Sequence, residues 1–288
     1  MKRIFIALFS IILSLSVILY ADFIRGVDIS RLLLIDDNGG IYTKNGIQKD
    51  VLEIFTDHHI NYVRLRIWHT PADGYCDLNK TLIMAQRIKN AGLKLMLDFH
   101  YSDTWADPGH QTKPAVWENI SFQALKDSIH RYTSHVITAL KSQNTLPDMV
   151  QIGNEIRCGM LWDEGRVCGQ FDTPEQWTQF VELIKEALRG VNENVTPDDT
   201  VKTVIHIDCG GNNLASRWFF DNLFLYDVDF DIIGLSYYPW WQGTLSDLEY
   251  NTHDLAQRYD KDVIIVETAY PWTLDWYDNT HNIVGDSS

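Results

Sequence analysis

The sequence predicts an α/β fold, a (β/α)8 TIM-type barrel that stops after its seventh strand. Three observations lead there. Seven apolar, strand-like runs alternate with six helix-like segments, the pattern of parallel βαβ units. The polar residues suited to chemistry fall at the C-terminal ends of those runs, where such barrels carry their sites. No glycine-rich phosphate loop follows the first run, as an open doubly wound sheet would favour. The length, 288 residues, suits one large α/β domain.

At the start of the chain, Lys2-Arg3 precede an apolar run from Ile4 to Leu19, and Ala21 supplies a small residue before Asp22. This is the order of a secretory signal. The run is about sixteen residues, short of the roughly twenty that span a bilayer. Residues 1–21 are therefore expected to be a signal peptide and residues 22–288 the barrel domain. The protein is then secreted or periplasmic, with no membrane partner once the signal is removed.

The first strand is expected over residues 23–30, ending on Asp28 and Ser30. A helix pattern follows over 47–58, with Val51, Ile54 and Phe55 on one face. Residues 62–68 form the second strand, and Arg64 and Arg66 share its period-two face. A helix over 81–91 stops at Gly92, and the third strand, 94–101, ends Asp98-Phe99-His100-Tyr101. Its loop runs to Trp117 and is rich in Asp, His and Trp, a length and composition that point to function. A helix over 121–142 leads to the fourth strand, which ends on Asn154-Glu155. Thr173-Pro174-Glu175-Gln176 opens the next helix with a cap, a first-position proline and a capping-box glutamine. The fifth strand, 201–209, carries His206 and Asp208 near its end. A helix over 214–225, a sixth strand over 230–238, a helix over 245–258 and a strand ending on Glu267 complete the series. Only about twenty residues follow Glu267, and 275–288 is polar and turn-like. The seventh helix, eighth strand and eighth helix have no sequence to form them, so the domain is expected to lack its C-terminal end.

Composition narrows the partner. Lys and Arg number 24 against 39 Asp and Glu, a formal charge of −15. This argues against nucleic acid and anionic membrane, which need basic patches. Ten Trp, thirteen Tyr and twelve Phe suit a neutral ligand that stacks on rings, such as a sugar. Of four cysteines, Cys158 and Cys168 flank a short loop and can be oxidised in an exported protein. No C-x-x-C or H-E-x-x-H pattern is present, so no metal ligands are assigned.

The chemistry lies at two strand ends. The run through Val150 and Ile152 closes on Asn154-Glu155, and Val263-Ile264-Ile265-Val266 runs into Glu267. A carboxylate at the end of a buried strand is costly unless it is paired or used. Two such carboxylates on parallel strands face one cleft, the minimum equipment for cleaving a glycosidic bond. Glu155 and Glu267 are the catalytic candidates. Asn154 is placed to hydrogen-bond a sugar 2-hydroxyl. Arg66 and Tyr238 are candidates to hold Glu267 ionised, with Arg64 and Arg66 open as to which makes a structural ion pair. Trp105, Trp240 and Trp241 are candidate sugar-stacking walls. His100 and His206 are expected to face the site, with Asp28 and Asp103 as further candidates.

At these motifs the chain resembles the arabinogalactan endo-β-1,4-galactanases of glycoside hydrolase family 53. The resemblance rests on Arg25-Gly26-Val27-Asp28-Ile29-Ser30, Val63-Arg64-Leu65-Arg66-Ile67-Trp68 and Gln151-Ile152-Gly153-Asn154-Glu155-Ile156. Gly159-Met160-Leu161-Trp162, Gly234-Leu235-Ser236-Tyr237-Tyr238-Pro239-Trp240-Trp241 and Val266-Glu267-Thr268-Ala269-Tyr270 add to it. The most specific block runs from Leu97 through Asp98-Phe99-His100-Tyr101-Ser102-Asp103-Thr104-Trp105 to Gly109. Together these span about residues 23–273. The resemblance implies a retaining endo-hydrolase of β-1,4-galactan, the side chain of pectic arabinogalactan, with Glu155 as acid/base and Glu267 as nucleophile. No cofactor is expected. Some members bind calcium through loops after the last strands, and Asp275, Asp278, Asn279 and Asn282 could supply part of such a site. The family's eighth strand has no counterpart, so an inactive or galactan-binding form stands as the alternative. A mannanase or xylanase on the same barrel is another.

Overall fold

The computed structural model describes residues 23–270. The signal-like segment 1–21 and the acidic stretch after Asp275 lie outside the described residues. Seven strands form one sheet in chain order: β1 Gly26–Asp28, β2 Tyr62–Ile67, β3 Lys94–Phe99, β4 Met149–Ile152, β5 Lys202–Ile207, β6 Ile232–Ser236 and β7 Asp262–Glu267. Every pairing in this sheet is parallel. The crossovers carry helices α1 Val51–Asp57, α2 Leu78–Asn90, α3 Phe122–Ser142, α4 Pro174–Asn192, α5 Asn213–Leu225 and α6 Leu245–Tyr259. This is the TIM-type α/β arrangement that the alternation predicts. Among the described residues β1 pairs only with β2 and β7 only with β6, so the sheet curls without closing. A hollow of about 650 Å³ runs between those two edges, lined by Ile24, Val27, Met149, Ile264 and Val266.

Two faces explain the strand sequences. Residues pointing outward, such as Val63, Leu65, Leu97, Val150, Ile205 and Leu235, join the helices in one large core. Alternate residues point inward, where Met96, Met149, Val204 and Ile232 pack with Tyr62, Ile264 and Val266. Because both faces are covered, the strands read as nearly continuous apolar runs. At the C-terminal end of the sheet the inward positions become polar: Arg64, Asp98, Gln151, His206 and Ser236. That change of character marks the site.

The helices begin where short polar side chains cap them. Asp50, Asp77, Ser121, Thr173, Asn212 and Thr244 each accept a backbone N–H from the first turn of the helix they precede. Two expected boundaries move for this reason. The helix expected from residue 47 starts at Val51, after the Asp50 cap, and Ile47–Gln48 instead pairs antiparallel with Thr43–Lys44. The helix expected from 81 starts at Leu78, after Asp77. Thr173 caps α4 and Pro174 takes its first position, but Gln176 does not close a capping box. Its amide is drawn instead to the carbonyls of Asp163 and Arg166. The first strand pairs over only Gly26–Asp28 of the eight residues expected.

Candidate active site

Local backbone irregularities aim both glutamates. At the end of β4, Gly153 takes φ +76, and a Cβ there would lie 2.5 Å from Ile156 Cγ2. Glu155 follows at φ 51, a left-handed conformation that costs a non-glycine residue about 1–2 kcal/mol. In the β6–β7 ladder, Leu235 faces Ile265 but Ser236 faces Glu267. Val266 is the extra residue of a bulge, and the shift turns Glu267 inward beside Ser236. Val266 itself stays inward, and without the bulge strict alternation would send Glu267 outward among the helices.

The two carboxyls then meet. A carboxylate oxygen of Glu155, one of Glu267 and a ring nitrogen of His206 all lie within 4.8 Å of one another. Their surroundings are unequal. Tyr238 Oη donates to Glu267 Oε1 at 2.7 Å, and Arg64 Nη1 lies 3.7 Å from Glu267 Oε2. Burial and the neighbouring carboxylates push the Tyr238 phenol upward, so it stays a proton donor. Among the described residues the Glu155 carboxyl receives one hydrogen bond, from Ser236 Oγ at 2.6 Å. Burial first, then the charge of Glu267, pushes its carboxyl up to about 8, with Ser236 opposing the shift. One carboxyl is thus pushed toward its protonated form beside one that a phenol and a guanidinium face.

Behind the pair lies a buried polar network. Arg64 donates to Asp98 Oδ2 at 2.7 Å, Asn154 Oδ1 at 2.8 Å and Asp28 Oδ2 at 3.0 Å. Burial works against its charge, but Asp98, Asp28 and Glu267 outweigh that and hold the guanidinium protonated. Asp28 serves this ion pair and the Ser30 turn, with Ser30 donating to it from both N and Oγ. His206 is fully buried, and burial with nearby Arg64 and His100 keeps it neutral.

Several expected site residues are placed differently. Arg66, expected at Glu267, lies with its guanidinium 4.0 Å from the Trp105 ring centre and 5.1 Å from that of Trp68. Arg64, one pleat lower on β2, is the arginine that reaches Glu267. His100 does not face the cleft: Nε2 bonds Asp98 and Nδ1 accepts the Ala106 N–H, so both ring nitrogens tie the β3 loop to the strand. His206 likewise sits behind the glutamates, between Gln151 and Ser236. Asn154 is buried, giving one amide proton to the Ala106 carbonyl and keeping one. Trp240 packs on Tyr270 at 5.0 Å between ring centres, while the exposed Trp241 lines the cleft. Trp105 is half exposed over Arg66. Asp103 caps backbone N–H groups of Thr70 and Ala115.

The cleft is a hollow of about 720 Å³ holding both glutamates, Tyr238 and Trp241, with Arg157 and Asp208 on its wall. Arg157 forks onto Asp208 at 2.9 and 3.2 Å, and Gln242 donates to the Asp208 carbonyl. A disulfide joins Cys158 to Cys168 and closes the loop that follows Arg157. Ser236 is not among the residues that the sequence points to as a site residue. Its signal is present: Ser236 closes β6 two residues before Tyr238, on the same inward period. The Glu155, His206 and Glu267 cluster does not form a convincing metal site, since hydrogen bonds occupy both nitrogens of the neutral His206. The residues considered for calcium lie outside those described.

Known proteins share this construction. The profile of glycosyl hydrolase family 53 matches residues 24–288. A Niallia circulans protein, described as an uncharacterized protein in the bgaB 5′ region, is 51% identical over 88% of this chain and 69% of its own length. An Aspergillus terreus probable arabinogalactan endo-β-1,4-galactanase A is 38% identical over 86% of this chain and 71% of its own. The Ignisphaera aggregans GH53 catalytic domain superposes with a TM-score of 0.85 at 40% identity, covering 92% of this chain and 73% of that one. With a family profile matched over residues 24–288 and two glutamates brought together at the strand ends of the sheet, the chain belongs to glycosyl hydrolase family 53.

Proposed function

We propose that this chain is an exported retaining endo-β-1,4-galactanase, with Glu155 as acid/base and Glu267 as nucleophile. The observation that carries the mechanism is the approach of the two carboxyls to within 4.8 Å, with one held protonated and one held by donors. Retaining enzymes place these groups about 5–5.5 Å apart, whereas inverting enzymes leave roughly 6.5–9.5 Å for a water. The substrate is supported by the names of the relatives, arabinogalactan endo-β-1,4-galactanases among them.

In the first step a Glu267 oxygen attacks the anomeric carbon as the glycosidic C–O bond breaks. The bond's electron pair leaves with the departing oxygen, which takes the Glu155 proton. In the second step Glu155 takes a proton from water. The water oxygen bonds the anomeric carbon, and the ester electron pair returns to Glu267. These steps use only protein groups and water. Tyr238 and Arg64 would hold Glu267, the remaining Asn154 amide proton would serve the 2-hydroxyl, and Trp241 and Trp105 would wall the sugar chain.

The test is reducing-sugar release from β-1,4-galactan by the chain and its variants. Glu155→Gln is expected to lose polymer cleavage at least 10³-fold yet keep glycosylation by an aryl glycoside whose leaving group needs no proton. Glu267→Gln is expected to lose both. Substantial turnover by Glu267→Gln, or an α-configured first product by NMR, refutes the mechanism. Cleavage of xylan or mannan with none of galactan refutes the substrate, and binding of galactan without cleavage by the native chain refutes the enzyme reading.

A further inference from the structure

We propose that Ser236 is a positioning residue that confines the transferable proton of Glu155 to one oxygen, Oε2. The inference rests on the acid/base reading of Glu155 and deepens it. It follows from a closed circuit of hydrogen bonds that starts and ends on Glu155.

The Glu155 backbone N–H points at His206 Nδ1, 3.3 Å away. Gln151 Nε2 lies 3.0 Å from the same ring nitrogen. Its amide orientation is fixed, since Nε2 also faces Asp98 Oδ1 at 2.5 Å and the Gly153 carbonyl at 3.0 Å, both acceptors. Asn154 Oδ1 also lies near Nδ1 at 3.1 Å, and it receives Arg64 Nη2 at 2.8 Å, with Gln151 Nε2 at 3.3 Å. Both Gln151 amide protons go to Asp98 Oδ1 and the Gly153 carbonyl, so the Glu155 N–H, a fixed backbone donor that a proton on Nδ1 would meet head-on, is what assigns Nδ1 a lone pair. A neutral imidazole then carries its single proton on Nε2. That N–H donates to Ser236 Oγ at 2.8 Å. The one hydroxyl proton of Ser236 is thereby sent to Glu155 Oε1 at 2.6 Å.

A proton on Oε1 would meet the Ser236 proton head-on. The acid proton therefore resides on Oε2, which has no hydrogen-bond partner among the described residues. A carboxylic acid whose proton is fixed on one oxygen is oriented before the substrate arrives, which is the form of preorganisation that acid catalysis needs. The same hydrogen bond favours the ionised form and so offsets part of the upward push from burial and Glu267. The other charged and titratable groups facing Glu155 are Arg64 from β2, Arg157 after β4, Asp208 and Cys209 after β5, and Tyr238 after β6. None of them hydrogen-bonds its carboxyl.

The test titrates Glu155 directly, by ¹³C NMR of side-chain carboxyls with the resonance assigned by its loss in Glu155→Gln. Ser236→Ala is expected to raise the Glu155 midpoint by about one pH unit, and Ser236→Thr, which keeps the hydroxyl, to restore it. If Ser236→Ala does not fold, Ser236→Cys, a weak donor of similar size, is expected to show the same upward displacement. In turnover, Ser236→Ala is expected to lower kcat on galactan about tenfold with KM unchanged and to move the alkaline limb upward. An activated aryl β-galactoside is expected to change less than about threefold, because its leaving group needs no proton. An unmoved midpoint, or failure of Ser236→Thr to restore it, overturns the proposal, as does equal loss on both substrates. Should Glu155→Gln keep full galactan hydrolysis, the acid/base reading falls whatever Ser236 does, and the titration alone then reports the hold of the hydroxyl on the carboxyl.

Discussion

Replacing Glu267 by Gln tests the electrostatic core of the site without needing turnover. The carboxyl of Glu155 is raised to about 8 by burial and by the charge of Glu267. Glutamine keeps the volume and removes the charge, so only the second cause is withdrawn. The interacting oxygens lie within 4.8 Å. At that separation the repulsion is about 3.5 kcal/mol at an effective dielectric of 20 and about 0.9 kcal/mol in bulk water. One pH unit corresponds to about 1.4 kcal/mol, so the Glu155 midpoint is expected to fall by about 0.6–2.5 units. A ¹³C carboxyl titration of native chain and Glu267→Gln measures the shift. Tyr238 loses its charged acceptor in this variant, and the same titration of Tyr238→Phe separates that indirect effect. An unchanged midpoint, or one that rises, refutes the claim that the two carboxyls are electrostatically coupled, and with it the division into acid and nucleophile.

Two further outcomes are expected. Because the folded-state pKa of Glu155 lies above its unfolded value, the folded chain holds the extra proton between about pH 4.5 and 8, and stability from this group is full below that window and lost as pH rises through it. Thermal unfolding is therefore expected to show Glu155→Gln gaining on the native chain by a few kcal/mol from pH 5 to pH 8, and a pH-independent difference would contradict this. Replacing Cys158 and Cys168 together by Ser releases a loop with a sequence separation of 10. The chain-entropy cost is about 2–3 kcal/mol, which lowers Tm by roughly 5–10 °C, and a Tm unchanged by the double replacement would show that the bridge constrains nothing.

Much of the architecture is written locally. Alternation of strand and helix periods sets the parallel sheet, and single residues such as Asp77, Thr173 and Gly92 set helix ends within a few positions. The chemistry of the site was legible because a charged residue closing an apolar strand has few inexpensive fates, and Glu155 and Glu267 both close one. Faces were legible too: Arg64, Arg66, His206 and Tyr238 all sit on the inward period of their strands.

Depth and direction were not. Period two says which face a side chain takes but not how far along the cleft it lies, because that depends on the stagger between neighbouring strands. Hence Arg64 rather than Arg66 reaches Glu267, while Arg66, one pleat higher, meets Trp105. His100 reads from its strand end as a cleft residue, yet Asp98 and the Ala106 N–H from the folded-back loop take both its nitrogens. Of the adjacent Trp240 and Trp241, only the turn after β6 decides which one the cleft receives. The bulge at Val266 is the sharpest case, since strict alternation would bury Glu267 on the wrong side and only its pairing with Ser236 reveals the turn. The sequence by itself determined the barrel and the identity of the two carboxyls, because burial and charge act residue by residue. Tertiary structure alone decided which donors meet them and how deeply each is buried, because hydrogen bonds and desolvation depend on ångström-scale registry between distant strands.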